Sequence, residues 1–165
     1  MAERRLAKVL LGMYLFILLW LILFKLSYDI PTIVAEYQTR SVNLIPVLGL
    51  GQAGRSETVS NLVVFVPFGL LLGVNFKDKP LWRLLTVTVV LSVVVETLQF
   101  ILAIGITDVT DVITNTLGGL CGLVLYRLVN KVVRTKILDW IIVAAGTILC
   151  IVLILLRLFV FQVRY

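Results

Sequence analysis

Runs of Val, Leu, Ile and Phe alternate with short charged connections along this chain. A membrane span needs about 20 mostly apolar residues. Five runs meet or approach that length: Val9–Phe24, Val59–Phe76, Leu81–Ile104, Val109–Val129 and Ile137–Val160. The pattern therefore predicts an all-α, polytopic membrane bundle. The second and fourth runs are short, which suits a smaller tilt, a thinner bilayer or a re-entrant piece. The second also contains Pro67, which frees the carbonyl of Val63 and could kink the helix to widen a cavity behind Asn61. Ser27–Thr58 is the one sizeable extramembrane piece. It holds Pro31 after Asp29, the stretch Ser41-Val-Asn-Leu-Ile-Pro, and the run Gly49-Leu-Gly-Gln-Ala-Gly. Its apolar residues Val42, Leu44, Ile45, Val47 and Leu48 predict that it lies on the membrane and covers a polar site.

Composition agrees with the pattern. Hydrophobic residues make up 61% of the 165, charged residues 15%, and mean hydropathy is +1.11. A soluble domain is nearer half apolar and a quarter charged. The length predicts a single domain over residues 1–165, with 27–58 as its outer loop.

Charge sets the expected orientation. With the N-terminus inside, ten Lys and Arg face the cytoplasm and five face out, as the positive-inside rule requires. An odd number of spans then puts the C-terminus outside. The net charge of +6 reads as an anchor against anionic headgroups, not as a nucleic-acid surface. The basic N-terminus and first run, with no small-x-small site after them, fit an uncleaved signal anchor. Cys121 and Cys150 fall within spans and read as packing residues. Histidine is absent, which removes the usual general base and the commonest transition-metal ligand.

The candidate chemistry lies in six residues inside or at the lip of the apolar runs: Asn61, Glu96, Gln99, Asp108, Asp111 and Asn115. A carboxylate deep in a bilayer costs roughly 2.5 kcal/mol or more. The predicted topology brings all six toward the outer side. Glu96 lies on the order of 12 Å below that surface. Glu96 and Gln99 share a helix face, as do Asp108, Asp111 and Asn115. The second face continues into Gly118 and Gly122, a stripe that lets two helices approach closely. Gly69 and Gly73 give the second span a thin face of the same kind. Gly105–Asp108 is so short that spans three and four must be antiparallel neighbours. Blander roles also fit. Asp108 and Asp111 suit helix capping, Asn61 suits a helix start, and Gln99 suits an interhelical hydrogen bond. For Glu96, no basic residue lies at its depth. It is then protonated, hydrogen-bonded, bound to a cation or near water.

Together these residues resemble the VanZ-like family, associated with resistance to teicoplanin and lipoglycopeptides. The resemblance spans roughly Asn43 to Leu128. It rests on Asn43-Leu-Ile-Pro46, on Asn61 followed by Phe65-Val-Pro-Phe-Gly69, on Glu96-Thr-Leu-Gln99, and on Asp108-x-x-Asp111-x-x-x-Asn115-Thr-Leu-Gly118. The order and spacing of the pieces carry it. The pattern departs where Val47 replaces a common aromatic, and where Gly105-Ile-Thr precedes Asp108 in place of a common arginine. The resemblance implies a multi-pass protein of the bacterial cell membrane and adds Asn43 and Pro46 to the candidate pocket. The expected ligand is a lipid-tailed glycopeptide or a lipid-linked envelope intermediate, with no cofactor. Two other readings stay open. Glu96, Asp108 and Asp111 could hold Mg²⁺ or Ca²⁺ in an enzyme acting on a lipid-linked substrate. A transporter subunit with a titrating Glu96 is the other, though no internal repeat supports it.

Overall fold

A computed structural model of the chain describes residues 2–24, 41–43, 52–104 and 106–162. In chain order the elements are α1 (Ala2–Phe24), β1 (Ser41–Asn43), α2 (Gln52–Asn75), α3 (Leu81–Leu102), β2 (Ile106–Asp108), α4 (Val109–Val129) and α5 (Thr135–Gln162). Five of these helices are long and apolar enough to cross a membrane. They match the five expected runs, with longer ends. The helix α1 already starts at Ala2, and α2 at Gln52. Residues 52–58 of the expected outer loop are thus helical, ahead of the apolar span Thr58–Asn75. No proline interrupts this stretch, so the helix continues past the apolar run. Apart from 41–43, the rest of that loop lies outside the described residues. So do Pro31, Pro46 and the glycines at 49 and 51.

Two short strands qualify the all-helical expectation. Segment β1 pairs with β2 in parallel, with Ser41 opposite Ile106, Val42 opposite Thr107, and Asn43 opposite Asp108. The turn after α3 makes this possible. Ala103 adopts a left-handed conformation at φ 53°, and its N–H caps the carbonyls of Gln99 and Phe100. The amide of Ile104 also returns to the Gln99 carbonyl at 3.2 Å. The chain then folds back against the helix it has left.

The core of Leu18, Phe65, Leu71, Leu123 and other apolar side chains also takes in polar ones, and the surface is apolar. Thr88, Ser92, Glu96, Gln99, Thr110, Thr114 and Asn115 are buried, while Val90, Val93, Ile101, Ile148 and Ile151 are exposed. An apolar surface over a partly polar interior suits a lipid solvent, which rewards internal hydrogen bonds.

The glycines explain the tightest packing. Helices α2 and α4 run parallel, with their backbones in direct contact. A β-carbon at Gly118, at Gly69 or at Gly122 would lie 2.2 Å from the carbonyl oxygen of Leu62, Gly119 or Val66, respectively. The two expected glycine faces therefore pack against each other. Helix α1 runs antiparallel to α2. The Tyr14 hydroxyl donates to the Val64 carbonyl at 2.7 Å, one residue beyond the carbonyl expected to be freed by Pro67. Near the other end, Asn75 donates to the carbonyls of Ala7 at 3.1 Å and Leu71 at 2.9 Å.

The bundle has two chemically distinct ends. At one, Lys77 pairs with Asp139, Tyr126 donates to Asp139 at 2.9 Å, and Arg127 donates to the Lys79 carbonyl at 2.8 Å. This is the basic end. The strands and most of the candidate polar residues occupy the other.

A carboxylate-floored lateral cavity as the candidate functional site

Helix α3 buries a stripe of Thr88, Ser92, Glu96 and Gln99, spaced to share one helical face. Each of the last three meets a different neighbour. Ser92 accepts from Asn115 Nδ2 on α4 at 2.9 Å. Glu96 Oε2 accepts from the Asp108 amide at 3.0 Å. Gln99 Nε2 donates to the Ile22 carbonyl on α1 at 3.4 Å. Residues that share a face thus serve three interfaces.

The Glu96 contact organises the strand end. Thr107 Oγ1 donates to the Glu96 carbonyl at 3.3 Å, so two residues of β2 are fastened to α3. Asp108 is then held in place to act twice. Its Oδ1 accepts from the Thr110 amide at 2.7 Å, which caps α4. Its Oδ2 accepts from Asn43 Nδ2 at 3.0 Å, which fastens β1. One chain of contacts joins Glu96, Asp108 and Asn43. Backbone that leaves helical form near the membrane must satisfy its polar groups from within the protein, and the Glu96 carboxylate does so here.

This chain of contacts lines a cavity of about 280 Å³. Asn43, Glu96 and Asp108, with Thr97 and Thr107, supply its polar groups; Val42, Val93, Phe100, Val109 and Val112 supply apolar walls. Val93, Phe100 and Val42 are also exposed on the outside of the bundle. The cavity therefore opens sideways, beside apolar side chains exposed on the outside of the bundle. Glu96 is only 3% exposed, and its Oε1 has no hydrogen-bond partner among the described residues. Asp108 and Asp111 both lie within electrostatic range of Glu96. Among the described residues, no lysine or arginine lines the cavity. It offers acceptors and negative charge, so it suits a group that donates hydrogen bonds or carries positive charge.

The other candidate residues lie beyond the lining. Asp111 sits in the first turn of α4, half-buried. Asn115 is fully buried against Ser92, with its Oδ1 lacking a partner among the described residues. Gln99 faces α1. Asn61 is half-buried on α2, next to the Leu62 carbonyl that abuts Gly118. Pro46 lies outside the described residues. Among those described, no three of His, Cys, Asp and Glu are placed to hold a metal ion together. The grouping of Glu96, Asp108 and Asp111 as a divalent-cation site is therefore not formed. Cys121 is exposed, Cys150 is buried, and both are free thiols.

The family model described as VanZ/LLP1 matches residues 11–130, which includes Asn43, Glu96, Asp108 and the glycine seam. The chain belongs to the VanZ/LLP1 family. It is also 47% identical over 152 residues to a protein of Enterococcus faecium named Protein VanZ, a match covering 92% of each chain. No solved structure matches the chain. The family region ends at the close of α4. Helix α5 follows it and packs on α1 and α2 through Gly146, against Leu10 and Leu71.

Two features of this site were not apparent from the amino-acid sequence. Ser92 sits four residues before Glu96 on the same face, but serine is too common in membrane helices for spacing alone to mark it. The strand pairing joins segments 65 residues apart at Asn43 and Asp108, and three-residue strands leave almost no periodicity to read.

Proposed function

We propose that this protein acts in a bacterial cell membrane to protect against teicoplanin and related lipid-bearing glycopeptides. The lateral cavity at the strand end is the proposed binding site. The observation that carries this reading is a buried carboxylate, Glu96, beneath an apolar opening on the lipid-facing surface. A tail could lie along Val93 and Phe100 while a donor-bearing head group reaches Glu96 Oε1. The same geometry accepts a lipid-linked envelope intermediate with amine, amide or hydroxyl donors. Membership of the VanZ/LLP1 family and the close likeness to Protein VanZ support the protective role. The single-domain organisation, with the basic end inside and the strand end outside, belongs to the same proposal. It rests on the distribution of Lys and Arg.

The test is drug susceptibility in cells expressing the chain at matched membrane levels. Teicoplanin is compared with a glycopeptide that lacks a lipid tail. Glu96→Gln keeps the side-chain shape but removes the charge, and should weaken ligand binding about tenfold. Protection against the lipidated drug should fall accordingly, with little change for the other. Full protection by Glu96→Gln would refute a binding role for the carboxylate. Equal sensitisation to both drugs would point to general envelope damage and refute the lipid-directed reading.

A further inference from the structure

A second cavity, of about 430 Å³, lies at the opposite end of the bundle. It sits between the start of α1, the end of α2 and the start of α5. Its lining includes Lys8, Asn75, Lys77, Lys136, Asp139 and Trp140. We propose that this cavity binds the phosphate headgroup of an anionic phospholipid from the adjoining leaflet.

Three observations carry this assignment. The first is depth. Trp82 opens α3 and Trp140 lies in the second turn of α5, and both are exposed, at 63% and 50%. Tryptophan at helix ends marks the headgroup level of a bilayer. The cavity shares that level with Trp140.

The second is charge. Lys77 is paired with Asp139, which also accepts the Tyr126 hydroxyl. Those charges offset one another and hold one wall rigid. Taken whole, the described lining sets Lys8, Lys77 and Lys136 against Asp78 and Asp139, an excess of one positive charge. A single phosphodiester matches it. Lys8 is exposed and has no partner among the described residues. Basic pockets between membrane helices at this level bind anionic headgroups.

The third is form. Asn75 is fixed by its bonds to Ala7 and Leu71, so the ends of α1 and α2 are locked at the cavity floor. The volume falls within the range of small-molecule sites and accommodates a glycerol phosphate. Leu6, Trp140 and Val143 offer an apolar path for the acyl chains. This site is independent of the lateral cavity, which lies at the other end of the bundle and has no basic lining among the described residues.

The experiment uses the purified full chain, stripped of native lipid in a zwitterionic detergent. Native mass spectrometry then follows the addition of phosphatidylglycerol, phosphatidylcholine with identical acyl chains, or inorganic phosphate. The expected result is one retained phosphatidylglycerol, held about tenfold more tightly than phosphatidylcholine, and not displaced by equimolar phosphate. The double variant Lys8→Gln/Lys136→Gln should bring the two lipids level, with helical circular dichroism unchanged. Lys8→Arg/Lys136→Arg keeps the charge and should restore the preference. A control pair at the same end but outside the lining, Lys79→Gln/Lys131→Gln, should retain it. Equal binding of the two lipids by the wild-type chain would overturn the proposal. So would an equal loss in the control pair, which would indicate diffuse surface charge. Displacement by equimolar phosphate would assign the site to a free anion and overturn the lipid assignment.

Discussion

At the scale of single residues, Asp108 is more heavily committed than Glu96. Its carboxylate caps α4 through Thr110 and holds β1 through Asn43, and its amide is the group that Glu96 binds. Asp108→Ala should therefore destabilise the protein by about 1–3 kcal/mol, combining a lost cap with the lost bond from Asn43. Asp108→Asn keeps acceptor geometry for one of the two bonds and should cost less. Thermal unfolding in detergent checks the order of the two variants. Ala103 gives the opposite expectation. It holds a left-handed φ of 53° without the freedom of glycine, so Ala103→Gly should stabilise the turn by up to about 1 kcal/mol. A rise in unfolding temperature is the expected result. The capping role of Asp108 was legible in the sequence, because an acidic residue before an apolar run marks a helix start. Its hold on Asn43 was not, because nothing local in either segment records a partner so far along the chain.

At the scale of elements, the seam between α2 and α4 governs the fold. The stripe of Gly118 and Gly122 was readable, as was the thin face of Gly69 and Gly73. Spacing could not show that these two faces meet, with α2 and α4 parallel and α3 between them in the chain. Periodicity defines a face and leaves its partner open. The consequence is a sharp asymmetry between neighbouring positions. Gly122→Ala places a methyl group 2.2 Å from the Val66 carbonyl oxygen, and a backbone atom cannot swing aside. The helices must separate, at about 1–3 kcal/mol. Gly12 on α1 has nothing within 4 Å of an added β-carbon, so Gly12→Ala should be neutral or slightly stabilising. Comparing the folded yield of the two variants in membranes checks this, with Gly122→Ala expected to be the lower.

At the scale of the whole molecule, the five helices were largely visible in the amino-acid sequence because a bilayer imposes length and apolarity on each of them. The convergence of polar residues at one end was also visible, through the alternating direction of successive spans. Their division among three contacts was not. Glu96, Asn115 and Gln99 sit at similar depths but turn to β2, α3 and α1. The proposed orientation leads to a direct prediction. A cysteine at Gln52, where α2 begins, should react with an impermeant thiol reagent in intact cells. One at Lys79, at the basic end, should react only after lysis. Both variants require a background in which exposed Cys121 is replaced. The reverse labelling pattern would place the lateral cavity on the cytoplasmic side, out of direct reach of an extracellular drug.

The parallel pairing of β1 with β2 bears on how this protein is made. Parallel strands cannot be joined by a tight turn, and here two membrane helices, α2 and α3, intervene. Segment β1 leaves the ribosome long before its partner exists. Its edge must wait until the α3 turn has been inserted and Asp108 is in place. Closure of so long a loop comes late. The lateral cavity is therefore among the last features to form during biogenesis. Slow insertion of α3 or α4 would yield a chain whose glycine seam and strand pair are both incomplete, open to the membrane's quality-control proteases, even with every cavity residue intact.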